Sequence, residues 1–492
     1  MKSLSTYLEE KHNPKEDVVK DLRVIVLTTN MSETSKESTD KTLFRTAKRI
    51  KEECEKKNIP FYALYCESGY ISKDDDGNWM AFNRGDDKGF LIDKNNTVAI
   101  VRGSTTRFKS WMDMVSQLEK IGIFCINFRD SIEVCSDKYL TSLKLADAAI
   151  PTPKTKLIYS NDDDVDTLLK DFDRPFPVIV KTLSGSKGVG VIFIESKRAL
   201  VSTLQLIWKI NPEEELLIQE YIETDYDVRC IVLGGQIQAT MRRDVIPGDF
   251  RSNYSLGGKV KLIKQTEEEI YICKESAKAV DGTWVAVDYI PAGKNKTPFV
   301  IEVNSSPGTE GIEAASGKNI ISELLDHVED KSNWRHKTQE SGFLETIEIE
   351  GVGHIIGNFD TGNSARPILH ADSYEIKNGK VLWKVENHKF TNKLIKMTKF
   401  ERGALNAQVI ERPVVSFNIT FNGIKYEEVE FLLDDRTQKT TKALMNQRFI
   451  KAANLSINPA RRFVLSIGHE DFDKYNKDHY NLVVKKGQSE KS

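Results

Sequence analysis

The stretch VIVKTLSGSKGVGVIFIE, residues 178–195, decides the architecture of the central part of the chain. Two apolar runs flank a glycine-rich turn, which predicts two strands joined by a flexible hairpin. The first strand carries Lys181, and the loop that follows is rich in small residues: Ser184, Gly185, Ser186, Gly188 and Gly190. Glycines let backbone N–H groups approach phosphate oxygens closely, and Lys181 adds positive charge beside them. The stretch is not a P-loop, because it lacks GK[ST] at the required spacing and no helix follows the loop.

Three oxygen-bearing side chains lie on two apolar strands further along the chain. Asp288 is near the end of TWVAVDYI, and FVIEVNSSPG carries Glu302 and Asn304. Residues two apart on a strand point to the same face, so Glu302 and Asn304 lie side by side. Burying an unpaired carboxylate inside an apolar strand is costly, which argues against merely solvated or capping acids at strand ends. Together the three side chains predict a site for Mg²⁺ bound to phosphates.

A set of cationic and polar residues lies between these two features. The strand DVRCIVL places Asp227 and Arg229 on one face, and further members follow downstream: Arg242, Arg243, Arg251 and Asn253. Each arginine alone is typical of a surface ion pair. Together they indicate a cationic lining for phosphate and carboxylate groups, whose bidentate geometry favours arginine.

The chain has 492 residues, too many for one compact core. Alternating strands and helices over residues 21–135, beginning with RVIVLTT, predict a small parallel-sheet α/β domain. Residues 136–330 predict a larger α+β unit. Short strands between turn signals over residues 344–470 predict an all-β domain with one helix, TTKALMNQRFIKAAN. Three polar segments complete the division: an N-terminal segment 1–20, a linker 331–343 and a tail 471–492.

Composition limits the functional classes. Charged residues are 29% and hydrophobic residues 39%, as in ordinary globular proteins, and the net charge of −2 gives no general attraction to nucleic acid or anionic membrane. No apolar run reaches the roughly 20 residues that span a bilayer, and the amino terminus lacks a signal-like apolar core. Six scattered cysteines without a CxxC pair favour reduced, buried thiols. We therefore predict a cytoplasmic protein that binds neither membrane nor, directly, nucleic acid.

Five motifs in this order resemble the RimK-type ligases of the ATP-grasp superfamily, which attach glutamate to the carboxyl terminus of a ribosomal protein. The motifs are KTLSGSKGVGV, LIQEYI, DVRCIVLGG, GDFRSN and FVIEVNSSPGTEGIE. The resemblance covers roughly residues 20–330 and implies a pre-ATP-grasp domain followed by an ATP-grasp core. Beside the glycine-rich loop it implies nucleotide contacts by a spread set of residues: Lys138, Lys181, Glu220, Tyr221, Asp227, Arg251, Ser252 and Asn253. It implies that Asp288, Glu302 and Asn304 hold two metal ions.

The resemblance also implies the chemistry. ATP converts a carboxylate to an acyl phosphate, and an amine then displaces phosphate, with Mg²⁺ (or Mn²⁺), Arg229 and Arg243 stabilising the transferring phosphoryl group. The implied substrates are an amino acid, chiefly glutamate, and a peptide or protein acceptor such as a ribosomal protein. A homodimer or higher homo-oligomer is the expected assembly.

A second constellation lies in the all-β segment. The strand HIIGNF ends in Asp360-Thr361-Gly362, the D-T-G signature of aspartic peptidases. A bare tripeptide is more typical of a plain turn, but the all-β surroundings raise the case for catalysis. Aspartic catalysis needs two carboxylates that share a proton, and the chain has one D-T-G. The sequence therefore predicts an active site at a homodimer interface, with one Asp360 from each chain.

The wider string resembles the retropepsin-like peptidases associated with RimK-type ligases, some of which are described as zinc proteases. The matching segments are FDTGNSARPILHADSYEI, ERPVVSFNITFNG, VEFLLDDR and LMNQRFI. One departure is Gln447 before Arg448, where that family usually has glycine. Two hypotheses stay open: a peptidase that trims the ligase product, and a non-catalytic domain for substrate binding or dimerisation. Zinc held by His354, His370, Asp372 and His388 is a weaker alternative, because the spacing fits no standard site.

Overall fold

The structure is a computed structural model and describes residues 18–29, 41–102, 109–159, 165–183, 190–245, 260–291, 297–386, 388–402 and 408–466. The chain divides into two compact units, residues 1–336 and 337–492. Each unit has its own buried apolar cluster.

The first unit begins with a four-stranded parallel sheet, as predicted. Its elements, in chain order, are β1 (Arg23–Thr28), α1 (Lys41–Lys56), β2 (Phe61–Tyr65), β3 (Gly69–Lys73), β4 (Trp79–Asn83), β5 (Phe90–Leu91), β6 (Thr97–Val101), α2 (Lys109–Ile121) and β7 (Phe124–Ile126). The strand order is β2-β1-β6-β7, with every pair parallel. The apolar runs of β1 and β6 are buried almost throughout, as a sheet covered on both faces requires. The antiparallel meander β3-β4-β5 was not predicted.

The rest of the first unit carries two antiparallel sheets. The elements are α3 (Arg129–Ser136), α4 (Lys138–Asp147), β8 (Thr155–Ile158), α5 (Val165–Leu169), β9 (Val178–Thr182), β10 (Val191–Ile194), α6 (Lys197–Ile210), β11 (Leu216–Glu220), β12 (Tyr226–Leu233), β13 (Gln236–Asp244), β14 (Val260–Leu262), α7 (Glu267–Ala279), β15 (Trp284–Ile290), β16 (Phe299–Asn304), α8 (Glu310–Ser316) and α9 (Ile320–Glu329). One sheet has the order β10-β9-β11-β8, and the other has the order β14-β13-β12-β15-β16. The predicted glycine hairpin is the antiparallel pair β9–β10.

Local sequence signals set where these elements begin and turn. Asp137 caps α4 by accepting hydrogen bonds from two backbone N–H groups, and Thr266 with Glu269 forms a capping box at α7. Gly234 and Gly235 both have positive φ, 55° and 74°, so the β12–β13 hairpin turns through a conformation that favours glycine. These signals hold the strands that carry the polar residues in a defined register.

The second unit is mostly β structure in the part of the chain that the structure describes. Its elements are β17 (Gln339–Gly342), β18 (Leu344–Ile349), β19 (Gly353–Phe359), β20 (Ile368–His370), β21 (Ser373–Lys377), β22 (Lys380–Val385), β23 (His388–Lys393), β24 (Lys396–Arg402), β25 (Gln408–Phe421), β26 (Ile424–Asp434), β27 (Ala443–Met445), α10 (Gln447–Ala452) and β28 (Leu455–Asn458). The largest sheet has the order β18-β19-β27-β20-β26-β25-β24, and β21-β22-β23 and β17-β28 form smaller sheets.

The helix predicted over residues 440–454 is wrong in its first half. Residues 443–445 form β27, which inserts between β19 and β20 and is buried at both ends. Asn446 then caps α10 by accepting a hydrogen bond from the Phe449 N–H. Sheet pairing therefore overrides the helical pattern of the preceding residues. The segment predicted as a linker contains a 3-10 turn, Lys331–Asn333, and the buried Trp334.

All six cysteines are free thiols, and four of them are buried. This agrees with the prediction of reduced cysteines. Within the described ranges, no helix combines the length and apolarity that crossing a membrane requires.

Candidate functional site

One face of the β14-β13-β12-β15-β16 sheet collects the predicted charged residues. Across the strands, Asp227 pairs with Arg243 and Arg229 pairs with Asp288. Asp288 in turn lies opposite Glu302. Because directly opposite residues project to the same face, these side chains form one polar surface. Asn304, two residues after Glu302, belongs to the same face.

Two ion pairs, one buried and one partly exposed, hold this surface together. Arg229 binds Asp288 with both ends of its guanidinium, through Nε to Oδ1 at 2.7 Å and Nη2 to Oδ2 at 2.6 Å. Arg243 binds Asp227 in the same bidentate manner, at 2.7 and 2.6 Å. A third contact, 3.1 Å from Arg243 Nη2 to Asp288 Oδ2, joins the pairs into one network. We call these four residues the arginine–aspartate quartet.

The quartet controls the charge state of Asp288. Burial by itself raises the pKa of this carboxyl, but the charges of Arg229 and Arg243 outweigh burial and hold its pKa at about 2. Burial lowers the pKa of Arg243, whereas Asp288 and Asp227 raise it by a larger amount. Asp288 and Arg243 are therefore both ionised at neutral pH. Arg242, predicted to join the same lining, instead pairs with Asp244 and stacks on the Tyr226 ring.

Two lysines face Glu302 from another side. Lys181 on β9 donates a 2.6 Å hydrogen bond to Gln219 on β11, and Lys138 at the start of α4 donates to the Thr182 and Leu183 carbonyls at 3.2 Å. Burial lowers the pKa of Lys181 to about 8, against the attraction of Glu302 and with the help of the Lys138 charge. Burial also lowers the pKa of Lys138. Two buried cations so close together are arranged to receive an anion.

These lysines and Glu302 line one pocket that is open to solvent. Its lining residues are Cys135, Lys138, Thr141, Ser142, Leu145, Thr152, Lys181, Leu217, Gln219, Val300, Ile301 and Glu302. A concave site with a few convergent polar groups and shifted pKa values has the general character of a ligand site.

The predicted metal ligands have the right chemistry and uncommitted atoms. Within the described residues, the Glu302 carboxylate takes part in no side-chain hydrogen bond or ion pair. At Asn304 the donor atom Nδ2 is buried without a partner, and the metal-binding atom would be its oxygen. Asp288 is already bound to arginines, although a carboxylate has about four acceptor positions. Carboxylate and amide oxygens suit Mg²⁺ or Mn²⁺, so the three residues fit a divalent cation. They do not form a cluster of three acids or histidines, since one ligand is an amide.

Several predicted nucleotide contacts lie elsewhere or cannot be described. The Glu220 carboxylate accepts a hydrogen bond from the Asp173 N–H, and Tyr221 packs its ring edge against Phe193. Neither residue lines the pocket, whereas the neighbouring Gln219 does. Gly190 has φ of 77°, and a Cβ there would meet Thr182 Oγ1 at 2.6 Å. The remaining predicted residues lie outside the described part: Ser184, Gly185, Ser186, Gly188, Arg251, Ser252 and Asn253.

Two polar residues that the sequence analysis missed hold the loop that follows β16, the strand that carries Glu302 and Asn304. Asn127 donates to the Ser305 and Trp284 carbonyls at 2.7 and 2.8 Å, and its oxygen accepts from the Thr283 and Trp284 N–H groups. Arg102 donates to the Pro307 carbonyl at 2.7 Å. Each residue directly follows a buried strand of the parallel sheet. A polar residue in that position was the available signal.

The D-T-G turn of the second unit is well formed. Asp360 follows β19, and its Oδ1 accepts a 2.8 Å hydrogen bond from the Gly362 N–H. Its own N–H donates to the Met445 carbonyl at 2.9 Å, which ties the turn to β27. Asp360 is half-buried, and Thr361 and Gly362 are exposed. The carboxylate is thus oriented by the backbone and accessible from outside the unit.

Both ring nitrogens of His370 make side-chain hydrogen bonds within the second unit. Its Nδ1 accepts a 2.9 Å hydrogen bond from the Arg436 N–H, so Nε2 carries the proton and faces Asp372 Oδ1 at 3.0 Å. Burial lowers the pKa of His370, which keeps the ring neutral. His354 and His388 are exposed on other strands. With both His370 nitrogens engaged, the described residues offer no zinc site.

The comparisons with known proteins can now be set beside this geometry. The family model of the RimK-like ATP-grasp domain matches residues 135–328. A probable alpha-L-glutamate ligase from Coxiella burnetii (strain RSA 493 / Nine Mile phase I) is 40% identical over 220 residues, which are 44% of this chain and 70% of that protein. One from Marinomonas sp. (strain MWYL1) is 33% identical over 242 residues, 49% of this chain and 75% of that protein.

A solved RimK domain ATP-grasp protein from Sphaerobacter thermophilus DSM 20745 aligns with 62% of this chain and 98% of its own, at 15% identity and a TM-score of 0.44. The family model and the relatives define the class of the first unit as ATP-grasp. The chain belongs to the RimK-like ATP-grasp family, and it is an enzyme of the ATP-grasp ligase kind. The retropepsin-like identity of the second unit stays a prediction.

Proposed function

We propose that the first unit joins an amino acid, chiefly glutamate, to the carboxyl terminus of a peptide or protein. The carboxylate oxygen attacks the γ-phosphorus of ATP, which releases ADP and leaves an acyl phosphate. The amine of the incoming amino acid then attacks the acyl carbon and expels phosphate, losing one proton. The pocket that pairs Lys138 and Lys181 with Glu302 is the observation that carries this proposal.

The cationic residues have separable tasks in this reaction. Lys138 and Lys181 bind phosphate oxygens in the pocket and become more firmly protonated when an anion arrives. Arg229 on β12 and Arg243 on β13 share a sheet face with Glu302, although β15 lies between them and its strand. From this face they stabilise negative charge on the transferring group. Because Arg243 already pairs with Asp227 in a bidentate manner, it is oriented before substrate binds. Such preorganisation lowers the reorganisation that the reaction requires.

A divalent cation, Mg²⁺ or Mn²⁺, is expected at Asp288, Glu302 and Asn304. When bound there, it supplies Lewis-acid charge for the phosphate oxygens. The chain's own contribution is to hold three oxygen ligands on adjacent strands and to fix the loop behind them through Asn127 and Arg102. Glu302 also attracts the charges of Lys138 and Lys181, so one carboxylate lies beside the two cations of the pocket.

Glutamate as the added amino acid is supported by the printed name of the two relatives, alpha-L-glutamate ligase. The acceptor is expected to be a peptide or protein carboxyl terminus, and a ribosomal protein is one candidate. A library of peptides is incubated with the protein, ATP, Mg²⁺ and each amino acid in turn. We expect mass increments of one or more glutamate residues together with ADP. Absence of ADP release with every amino acid contradicts the proposal.

For the second unit we propose aspartic peptidase activity at a homodimer interface. The support is the backbone-oriented, accessible carboxylate of Asp360 in the D-T-G turn. Two such carboxylates around one water are needed for peptide hydrolysis, so each chain contributes one. The alternative is a non-catalytic domain that binds substrate or drives dimerisation.

The Asp360→Asn variant separates these two alternatives. Ligated peptides from wild type and variant are compared over time by mass spectrometry, with sedimentation measured in parallel. A peptidase predicts shortened products from wild type and none from the variant, while both proteins dimerise. Identical product distributions favour the non-catalytic domain. Loss of dimerisation on mutation identifies Asp360 as an interface residue.

A further inference from the structure

The Asp288 carboxylate is already bound by two arginines, so a metal ion at this position must share or replace those contacts. Its carboxylate accepts three hydrogen bonds or ion contacts, two from Arg229 and one from Arg243. The side chain is 3% exposed, so solvent does not satisfy it. An ionised carboxylate this deeply buried requires a cation, and in this structure Arg229 is the principal one.

The two arginines differ in how they are anchored. Arg243 has a second carboxylate, Asp227, and its side chain is only 4% exposed. Arg229 is 21% exposed, and Asp288 is its sole ion-pair partner within the described ranges. If another cation engages Asp288, Arg243 therefore keeps its bidentate partner. Arg229 does not, and its partly exposed guanidinium becomes available.

Charge balance points in the same direction. In the quartet two carboxylates offset two guanidinium groups, and Glu302 adds one more negative charge opposite Asp288. Lys138 and Lys181 face Glu302 from the other side, so a divalent cation on Asp288 and Glu302 adds two positive charges where basic groups already outnumber acidic ones. Like charges within about 4–6 Å disfavour one another, so the metal weakens the hold on the less anchored arginine.

From this geometry we infer that Arg229 competes with the divalent cation for Asp288. Metal binding displaces Arg229, and the freed guanidinium then binds an oxyanion of the substrate, either phosphate or carboxylate. The inference rests on the metal site in the proposed function. It makes metal binding a prerequisite for forming the substrate's oxyanion site, so metal with nucleotide binds before the acceptor carboxylate.

The direction in which one substitution changes the Mn²⁺ affinity tests the competition between Arg229 and the metal. Mn²⁺ binding to the full, nucleotide-free chain is titrated by electron paramagnetic resonance for wild type and Arg229→Gln. Removal of the competing charge should tighten Mn²⁺ binding by about tenfold, within the about 5–150-fold range of typical site coupling. Ligase activity should fall in the same variant. A residue that merely supported the metal ligands would give the opposite result, weaker Mn²⁺ binding.

Three further variants make the outcome decisive. Arg242→Gln removes a neighbouring charge that pairs with Asp244 instead, so its Mn²⁺ affinity should equal that of wild type. Arg229→Lys keeps the charge without the bidentate fork and should give an intermediate affinity, which also serves if Arg229→Gln fails to fold. Unchanged or weaker Mn²⁺ binding in both folded Arg229 variants overturns the competition and leaves the ligase proposal intact. Wild-type Mn²⁺ binding that Asp288→Asn does not alter overturns the metal site itself.

Discussion

Replacing Lys181 by methionine should stabilise the protein while removing its nucleotide binding. Lys181 lies in the pocket with its Nζ 2.6 Å from Gln219 Oε1, and burial lowers its pKa from 10.5 to about 8. A lowered lysine pKa means that the charged form is less favourable in the folded state than in the unfolded chain. Methionine keeps the apolar length of the side chain and removes the charge.

The magnitude follows from the pKa. At about 1.4 kcal/mol for each pKa unit, the lowered value corresponds to a destabilisation of about 3 kcal/mol at neutral pH. Two effects reduce this destabilisation. Lys181 keeps part of its surface exposed, so solvent screens part of the effect, and the lost hydrogen bond to Gln219 costs about 1 kcal/mol. We therefore expect Lys181→Met to raise the free energy of unfolding by about 1 kcal/mol at pH 7.

The pH dependence gives a second, independent check. The buried lysine charge destabilises the folded state throughout the range below about pH 8. The unfolded chain binds that proton more tightly, so the destabilisation disappears as pH rises from about 8 to 10.5. The advantage of Lys181→Met over wild type should therefore shrink across this window.

Urea unfolding without nucleotide, at a series of pH values, measures this difference. The control is Lys209→Met, at an exposed position of α6, which should show neither the stabilisation nor its pH dependence. Isothermal titration with a non-hydrolysable ATP analogue should show at least a tenfold loss of affinity for Lys181→Met alone. A variant that is less stable than wild type at pH 7, or whose advantage does not change with pH, refutes the reasoning.

Three further predictions concern other parts of the structure. Asp227→Asn leaves the buried Arg243 with a single carboxylate contact, to Asp288. The free energy of unfolding, measured by urea titration, should therefore fall by about 3 kcal/mol. A fall of less than about 1 kcal/mol contradicts a buried ion pair. Gly190→Ala should cost more stability than Gly235→Ala, since both have positive φ but only the former Cβ meets a side chain, and equal losses of melting temperature count against this packing. In an NMR titration the pKa of His370 should lie below its ordinary value. The stability that the neutral ring provides should be lost as pH falls below about 6.5. An imidazole that is protonated at pH 7 contradicts the role of Nδ1 as a hydrogen-bond acceptor.

The sequence alone determined the elements that carry the chemistry. The parallel sheet, the β9–β10 hairpin and the β12–β13 turn were each predicted because their signals are local: continuous apolar runs, a glycine-rich loop and Gly234-Gly235. Strand alternation alone placed Glu302 and Asn304 on one face. Local patterns suffice here because a strand's side-chain direction repeats every two residues.

Tertiary structure decided which of those residues meet. Strand register, set by long-range pairing, brought Asp288 between Glu302 and Arg229. The depressed pKa of Lys181 likewise depends on burial by segments far apart in the chain. Sequence spacing does not encode such contacts, because they arise only when separate strands close on one another.

The same distinction explains the errors. Residues 443–445 have a helical pattern, yet they form β27 because a buried gap between β19 and β20 is filled by a strand. Asn127 and Arg102 carry no motif, and their role appears only where the parallel sheet meets the loop after β16. Composition and periodicity therefore determined the parts of this protein, and packing between distant segments determined its site.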